Sequence, residues 1–293
     1  MRVAFLGNHT VGVRALQALN QNSEVVGVVA HPEDPEDGIR YDSVFAFAKE
    51  RGWDVMRGKA KDAATNTFIE KAKPDLLWIT DYRYLVPASV LSLSRLGAVN
   101  LHPSLLPKYR GRASINWALL QGETRLGLTA HFVDEGMDTG DIIEQTGFQV
   151  SDDWDVGDCL EVLYPLYADI TRRVLGYFHS GRVPRRPQDH SQATEFPRRK
   201  PEDGRVDWRQ SSRSIRNLIR AVAAPYPGAF TTCAGKNLTI WKALPSEAAV
   251  KGGVPGLVLD VESEGTTVQC GEGVLLLSRV EGTAVKPGSC LGT

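Results

Sequence analysis

Apolar runs of strand length alternate with amphipathic helical patterns through the first half of the chain. Buried strands are predicted at residues 2–7, 24–30, 75–80, 98–102 and 127–133, and helices at residues 13–19 and 41–52. Nearly continuous apolar strands separated by helices are typical of a parallel sheet covered on both faces. The pattern therefore predicts a doubly wound, Rossmann-like α/β domain built on a mostly parallel sheet.

The pattern changes in the second half, where the predicted strands become short. A strand is predicted at residues 141–150, and helices at 156–178 and 214–223. Short strands split by Gly and Pro follow at residues 231–232, 238–241, 256–261, 267–270 and 274–280. Closing the sheet is the usual solution for strands of this kind, so we expect a small β-barrel.

Residues 181–204 concentrate prolines and basic side chains between these two regions. The segment holds Pro184, Pro187, Pro197 and Pro201 together with Arg185, Arg186, Arg198, Arg199 and Lys200. This composition is typical of an interdomain linker. A nucleic-acid-binding arm is the alternative, and a solvated linker is favoured because no aromatic residues alternate with the basic ones. The predicted organisation is an α/β domain at 1–180, a linker at 181–204 and a β-barrel domain at 205–293.

The overall composition bounds the class of protein. The chain has 293 residues, of which 42% are hydrophobic and 24% charged, as in soluble globular proteins. Its 34 basic and 35 acidic side chains nearly cancel, so the net charge gives no electrostatic reason to expect a nucleic acid partner. No stretch approaches the ~20 apolar residues of a membrane span, and the amino terminus lacks a secretory pattern. We therefore expect a cytoplasmic protein with no membrane partner.

Two common kinds of site are disfavoured. The cysteines, at positions 159, 233, 270 and 290, are scattered and form no C-x-x-C pair, so reduced thiols and no metal site are expected. The first strand-to-helix turn, residues 7–12, lacks the second glycine of a dinucleotide site, which argues against a nicotinamide-dependent enzyme. Asn8 and His9 still follow a strand at its carboxyl end, where either a ligand contact or a helix cap would suit them.

The strand at residues 98–102 ends in two polar residues that suggest chemistry. Because side chains alternate along a strand, Asn100 and His102 lie on one face, with Leu101 on the other. An amide can donate a hydrogen bond to a developing oxyanion, and an imidazole can move a proton near neutral pH. Packing rarely explains such a pair, so the sequence favours a catalytic role for Asn100 and His102.

Asp138 is the predicted third partner. It follows the strand at residues 127–133, and that strand can lie beside the Asn-His strand in a doubly wound sheet. A carboxylate there would orient the imidazole and raise its basicity. An isolated Asp-Thr-Gly is more often an ordinary turn, but together with Asn100 and His102 the catalytic interpretation is favoured.

These residues together resemble a known family. Residues 100–111, N-L-H-P-S-L-L-P-K-Y-R-G, followed by Asp138, are similar to the signature of the formyltransferases that use 10-formyltetrahydrofolate. That family includes methionyl-tRNA formyltransferase, the glycinamide ribonucleotide transformylases and the N-formyltransferases of nucleotide-linked amino sugars. Residues 82–86, 196–199, 207–208, 219–221 and 227–230 also resemble family segments. The resemblance implies an oligonucleotide-binding-like barrel as the second domain, which does not by itself imply nucleic acid binding.

The resemblance implies an N-formyltransferase that works by direct acyl transfer, with no metal and no covalent enzyme intermediate. His102 would take the proton of the acceptor amine and return it to the departing folate nitrogen. Asn100 would hydrogen-bond the oxygen of the tetrahedral intermediate, and Asp138 would orient His102. The implied folate-binding residues are Tyr84, Leu85, Val86, Arg112, Asp134, Glu135, Gly136, Met137 and Asp138.

The acceptor amine is the harder question. Residues 137–140, M-D-T-G, resemble methionyl-tRNA formyltransferases, which also carry a basic insertion after the second strand. This chain has the acidic run H-P-E-D-P-E-D-G at 31–38, which would repel phosphates, and ten basic against nine acidic side chains in 201–293. Residues 31–44 and 82–85 resemble the sugar-nucleotide branch instead. The favoured acceptor is therefore a nucleotide-linked amino sugar.

Other interpretations stay open. Methionyl-tRNA, or a small amine such as hydroxyornithine, is the alternative acceptor. A folate-binding or sugar-nucleotide-binding protein without catalysis is disfavoured because the Asn, His and Asp are all present. The second domain could pack against the first, build a homodimer or bind a ligand.

Overall fold

The computed structural model describes residues 1–33, 41–247 and 253–293, which divide into two compact units. The first unit comprises residues 1–111, 126–148 and 161–196, and the second comprises residues 112–125, 149–160 and 197–293. Residues 181–196, in the segment expected to be a linker, are thus part of the first unit. The domain boundaries given above stay a prediction.

The first unit is built on a seven-stranded sheet with strand order β3-β2-β1-β4-β5-β7-β8. Its strands are β1 (Arg2–Gly7), β2 (Glu24–Ala30), β3 (Val55–Arg57), β4 (Leu76–Thr80), β5 (Ala98–His102), β7 (Arg125–Phe132) and β8 (Ile142–Gln149). The pairs among β1 to β5 are parallel, and β7 runs antiparallel to β5. The predicted mostly parallel, doubly wound sheet is confirmed.

The described residues of the two units also contain seven α-helices and one small two-stranded sheet. The helices are α1 (His9–Asn22), α2 (Val44–Glu50), α3 (Ala63–Ala72), α4 (Ala88–Leu91), α5 (Ser114–Leu120), α6 (Val156–Ser180) and α7 (Ser212–Val222). The small sheet pairs β6 (Arg110–Gly111) with β9 (Glu195–Phe196) in parallel. Neither β6 nor β9 is predicted by apolar periodicity, because each has only two residues.

The sheet core explains why these sequences form central strands. Leu76, Leu77 and Trp78 of β4 have no exposed surface, and each such side chain contributes roughly 1.5–3 kcal/mol through burial. Gly7 ends β1 where a Cβ atom would lie 2.3 Å from the carbonyl oxygen of Thr80. Only glycine allows this approach, so the carboxyl ends of β1 and β4 lie tightly side by side.

The second unit contains a five-stranded antiparallel sheet with strand order β10-β11-β14-β13-β12. The strands are β10 (Ala229–Cys233), β11 (Lys236–Ser246), β12 (Val258–Glu262), β13 (Gly265–Gln269) and β14 (Val274–Gly282). Trp208, Ile219 and Leu277 lie in its core. Single bridges from Leu291 to Cys233 and from Cys290 to Leu257 connect the carboxyl-terminal segment with both edges of this sheet. The prediction of a separate β domain is confirmed.

Candidate active site

The carboxyl end of β5 carries the two polar residues that the sequence places on one strand face. β5 lies between β4 and β7, and its apolar residues are buried, with Leu101 only 1% exposed. Asn100 is half-buried and His102 is 5% exposed. An amide and an imidazole are therefore enclosed at the edge of the sheet where ligands bind in such folds.

Asp138, in the segment between β7 and β8, meets both of these side chains. Its Oδ1 accepts a hydrogen bond from Asn100 Nδ2 at 3.2 Å, and its Oδ2 lies 3.5 Å from His102 Nδ1. Oδ2 also accepts from the backbone N–H of Gly111 at 2.9 Å. The structure thus brings Asp138 to Asn100 and His102, although it lies 36 residues after His102 in the sequence.

The pKa of Asp138 is set by competing causes. Burial alone would raise it, because an enclosed carboxylate loses its hydration. The charges of His102 and His131, the hydrogen bond from His131 and the Gly111 N–H outweigh burial and hold the pKa of Asp138 well below its usual range. Asp138 is therefore ionised at neutral pH and supplies a negative charge beside His102.

His131 completes the cluster and was missed by the sequence patterns. It lies opposite Asn100 in the antiparallel register of β5 and β7, and it is 2% exposed. Its Nε2 lies 3.4 Å from Asp138 Oδ1 and 3.2 Å from Asn100 Nδ2, while its Nδ1 donates to the carbonyl of Phe132 at 2.7 Å. A lone histidine inside the apolar run L-T-A-H-F was the available signal, but it required knowing that β7 pairs with β5.

The His102 ring is held at both nitrogens. Nε2 donates to the backbone carbonyl of Tyr109 at 2.7 Å, since a carbonyl can only accept, and Nδ1 faces Asp138. Tyr109 has a left-handed backbone, with φ of 59°, and its N–H donates to Thr194 Oγ1 at 2.9 Å. Carbonyl and carboxylate together can satisfy both N–H groups of a protonated imidazole, so the cluster can accept and hold a proton.

The residues expected to bind folate lie in separate parts of the chain. Tyr84, Leu85 and Val86 follow β4, which is adjacent and parallel to β5, so they lie at the same sheet edge as His102. Val86 packs against the core of the first unit, whereas Leu85 is 74% exposed. Arg112 belongs to the second unit.

The remaining expected folate residues precede Asp138. Asp134 Oδ1 accepts hydrogen bonds from the N–H of Gly136 at 3.1 Å and from Thr139 Oγ1 at 2.5 Å, which closes a tight turn. Glu135 and Met137 are exposed on this turn, with Met137 at 41%. Leu85 and Met137 are thus large apolar side chains left uncovered, a feature that suits a site for an apolar ring.

Asn8 and His9 lie at the carboxyl end of β1. Asn8 occupies the position before α1, but its side chain makes no capping hydrogen bond. His9 pairs with Asp81, and its ring lies 3.8 Å from that of Tyr41. The aromatic cluster continues with His31, whose ring centre is 6.1 Å from that of His9 and 5.5 Å from that of Tyr84. The side chain of Asn8 is therefore not the helix cap that was one of its two interpretations.

Two kinds of feature are absent from the described part of the chain. In residues 1–33, 41–247 and 253–293, His, Cys, Asp and Glu nowhere gather in a group of three or more that could hold a metal ion. Within these same ranges, no helix is both long enough and apolar enough to cross a membrane.

Comparison with known proteins assigns both halves of the chain. Residues 1–163 match the formyl transferase family and residues 198–289 match the formyl transferase C-terminal domain. The methionyl-tRNA formyltransferase of Acetivibrio thermocellus is 34% identical over 286 residues, covering 96% of this chain and 92% of the relative. That of Alkaliphilus oremlandii is 30% identical and covers both chains in full.

The fold is also found in solved structures. WlaRD, a sugar 3N-formyl transferase crystallised in the presence of dTDP and 5-N-formyl-THF, matches with a TM-score of 0.71 at 18% identity, covering 97% of this chain and 99% of its own. The predicted family, enzyme class and formyl-tetrahydrofolate donor are confirmed. This chain belongs to the formyl transferase family, whose members are enzymes that transfer a formyl group from formyl-tetrahydrofolate.

Proposed function

We propose that this protein transfers the formyl group of 10-formyltetrahydrofolate to the amino group of methionyl-tRNA. The observation that carries this proposal is the whole-length similarity to methionyl-tRNA formyltransferases. Five such relatives are 30–34% identical, and their alignments cover at least 95% of this chain. Similarity of this degree over both domains is a stronger argument for a shared acceptor than the fold shared with WlaRD, which is only 18% identical.

A cleft in the second unit, lined by four basic and two acidic side chains, supports an acidic polymer as acceptor. The cleft has a volume of about 600 Å³, and Trp117, Arg198, Arg199 and Lys200 are among its lining residues. The Arg199 guanidinium lies 4.8 Å from the centre of the Trp117 ring. In the described part of the chain, Arg198 and Lys200 are exposed and form no ion pair, so both can contact phosphates. The aromatic partner that the sequence lacked beside these basic residues comes from α5.

The nucleotide-linked amino sugar favoured by the sequence is the second candidate acceptor. The aromatic cluster of His9, Tyr41, His31 and Tyr84 favours it, because stacked rings suit a nucleotide base. The similarity to WlaRD supports the fold and says nothing about the acceptor. The acidic run at 31–38, which argued against phosphates, lies outside the described residues from position 34 onward.

In the proposed reaction, Asn100 and His102 are the catalytic residues. The acceptor amine attacks the formyl carbon, the bond from that carbon to the folate nitrogen breaks, and the amine proton passes to the folate nitrogen. Asn100 donates a hydrogen bond to the formyl oxygen as negative charge develops there, a contribution of about 3 kcal/mol for one such donor. His102 carries the proton between the two nitrogens.

Asp138 holds His102 for this transfer. Its carboxylate stabilises the proton that His102 carries, and it fixes the orientation of the ring through Nδ1. When the substrates bind, His102 Nε2 has to release the carbonyl of Tyr109 and face the acceptor amine instead. Leu85 and Met137 would cover the ring system of the donor. Much of the rate would come from holding amine and formyl carbon in contact.

The test of the acceptor is a direct competition. The purified protein is incubated with 10-formyltetrahydrofolate and with methionyl-tRNA, or with 3-amino and 4-amino sugars on dTDP, UDP and GDP, and the formylated product is identified by mass. We expect N-formyl-methionyl-tRNA. Formylation of a nucleotide sugar with methionyl-tRNA untouched would overturn the proposal. A His102→Ala variant is the catalytic control, and near-normal turnover by it would remove His102 from the mechanism.

A further inference from the structure

Gln188 is a buried side chain in the segment that the sequence suggests is a solvated linker. It is 6% exposed and belongs to the first unit. Its Nε2 donates two hydrogen bonds, both 2.8 Å long, to the backbone carbonyls of Asp138 and Gly140. Its Oε1 accepts from Arg110 Nη2 at 2.6 Å and from Arg110 Nε at 3.3 Å. All four contacts of the amide are therefore assigned to specific partners.

The amide of Gln188 has only one workable orientation. Arg110 is a pure donor, so it requires an oxygen in front of it, and the two carbonyls are pure acceptors, so they require N–H groups. In the reversed orientation, the amide oxygen would face the two carbonyl oxygens, and the amide N–H groups would face the N–H groups of Arg110. Arg110 therefore determines that the two N–H groups of Gln188 face the segment that carries Asp138.

Arg110 is itself fixed. It is 6% exposed, and within the described chain it has no carboxylate at ion-pair distance; its other side-chain partner is His190 Nδ1, at 3.1 Å. Its backbone N–H donates to the carbonyl of Thr194 at 2.8 Å. A buried guanidinium polarises the amide that it contacts, and such chains of hydrogen bonds strengthen one another.

The segment that Gln188 holds needs support. Asp138 has a left-handed backbone, with φ of 55°, which costs a residue other than glycine about 1 kcal/mol. Its carboxylate is held by the Gly111 N–H at 2.9 Å, but that contact does not fix the main chain. The bonds to the carbonyls of Asp138 and Gly140 fix the backbone on either side of Thr139, so they determine where the carboxylate can reach.

We infer that Gln188, oriented by Arg110, is a positioning residue that sets the distance between Asp138 and His102 during formyl transfer. It acts through the backbone of Asp138 and has no contact with the reacting atoms. This inference rests on the role proposed above for Asp138. It also assigns a function to part of the proline-rich segment, whose residues 194–196 are joined to residues 109–111 by the β6–β9 pairing.

The test is the Gln188→Glu variant of the full-length protein. The introduced carboxylate keeps an acceptor for Arg110, so the buried guanidinium keeps its hydrogen bonds, but it removes both donors to the Asp138 segment. Because a displacement of about 1 Å at a catalytic group can cost ~100-fold, we expect kcat to fall ~10- to 100-fold. The KM for 10-formyltetrahydrofolate should stay within about twofold. The urea midpoint should fall, because the introduced carboxylate turns an oxygen toward the carbonyls of Asp138 and Gly140, so kcat is measured without urea after circular dichroism has verified that the variant is folded. Turnover is measured with the acceptor that the competition experiment identifies.

A matched control and a double variant separate the outcomes. Gln192→Glu makes the same change at an exposed position of the same segment and should leave kcat unchanged. In an Asp138→Ala background, Gln188→Glu should lower kcat by no more than about twofold further, since its effect passes through Asp138. A normal kcat for Gln188→Glu beside a crippled Asp138→Ala would overturn this inference alone. Normal turnover by Asp138→Ala would overturn both this inference and the proposed role of Asp138.

Discussion

Asp138 is the residue on which the local electrostatics of the site converge. Two histidines, one amide and one backbone N–H surround its carboxylate, whose side chain is 13% exposed. These partners lower the pKa of Asp138 despite burial, which opposes ionisation. The folded protein therefore stabilises the ionised form of Asp138 more than the unfolded chain does. As a result, folding is linked to the protonation of this one carboxyl group.

This linkage predicts how Asp138→Asn changes the pH dependence of stability. A lowered folded-state pKa gives stability that is fully present above the ordinary carboxyl pKa of about 4 and is lost as the pH falls toward the lowered value. The difference in unfolding free energy between wild type and Asp138→Asn should thus shrink as the pH falls from about 5 toward 3. Urea unfolding at a series of pH values measures this difference.

The neighbouring substitution Met137→Leu serves as the control for this series, because it leaves every charge in place. Its unfolding free energy should follow that of the wild type at each pH. A difference between wild type and Asp138→Asn that stayed constant down to pH 3 would mean that the partners of Asp138 do not stabilise its ionised form in the folded state.

At the residue scale, the sequence alone predicts three of the five residues discussed for the candidate site. Strand alternation places Asn100 and His102 together, and the family resemblance points to Asp138. His131 and Gln188 were out of reach for different reasons. His131 depends on the antiparallel pairing of β7 with β5, which no local pattern encodes. Gln188 stands among prolines and arginines whose composition is typical of solvated chain, although its own amide is buried by tertiary contacts.

At the element scale, apolar periodicity located the long strands and the long helices. The strands at 2–7, 24–30 and 98–102 agree residue for residue with β1, β2 and β5. Among the elements that the predictions passed over are β3, which has only three residues at the edge of the sheet, and α3, in which only Thr65 and Ile69 are buried. Pairs as short as β6 and β9 are defined by their partners and by the hydrogen bond of Tyr109 to Thr194 rather than by periodicity.

The core of the second unit permits a prediction on its strands. Trp208 is 4% exposed, and its Nε1 donates to Thr231 Oγ1 of β10 at 3.0 Å. Trp208→Ala should destabilise this unit by about 3–5 kcal/mol, because a large cavity and an unpaired hydroxyl are left behind. Hydrogen exchange of the β10 and β11 amides measures the loss locally.

The Trp208→Phe variant separates the effect of the cavity from the effect of the lost hydrogen bond to Thr231. Phenylalanine keeps most of the apolar contact and removes only the N–H, so the expected loss is nearer 1 kcal/mol. Equal losses for the two variants would show that the hydrogen bond to Thr231 dominates. Unchanged exchange in β10 for Trp208→Ala would contradict the assignment of Trp208 to the core.

At the scale of the whole molecule, the net charge and the local distribution of charge suggest different partners. The chain carries a formal charge of -1, which suggests no attraction to nucleic acid. The distribution is uneven, however, since Arg198, Arg199 and Lys200 line one cleft with Trp117. Charge acts over about 8–10 Å at physiological salt, so the proposed tRNA acceptor would be attracted by the local cluster and not by the net charge.

This reasoning predicts a position-dependent effect of removing two positive charges. The double variant Arg198→Ser/Lys200→Ser should raise the KM for methionyl-tRNA by ~10-fold and leave the KM for 10-formyltetrahydrofolate unchanged. Each lost phosphate contact should also reduce the slope of log affinity against log salt by roughly 0.7–0.9, so the two together should reduce it by about 1.5. Kinetics at several salt concentrations give both quantities.

The matched control for this variant is Lys236→Ser/Lys286→Ser, which alters the net charge of the same unit equally at two exposed positions outside the cleft. If only the total charge mattered, both double variants would weaken methionyl-tRNA binding to the same extent. A specific effect of Arg198 and Lys200 would instead place the phosphates in the cleft, because Coulomb attraction between exposed charges fades beyond one screening length. An unchanged KM and salt slope for the cleft variant would remove the electrostatic support for a tRNA acceptor and leave the nucleotide-linked amino sugar as the stronger candidate.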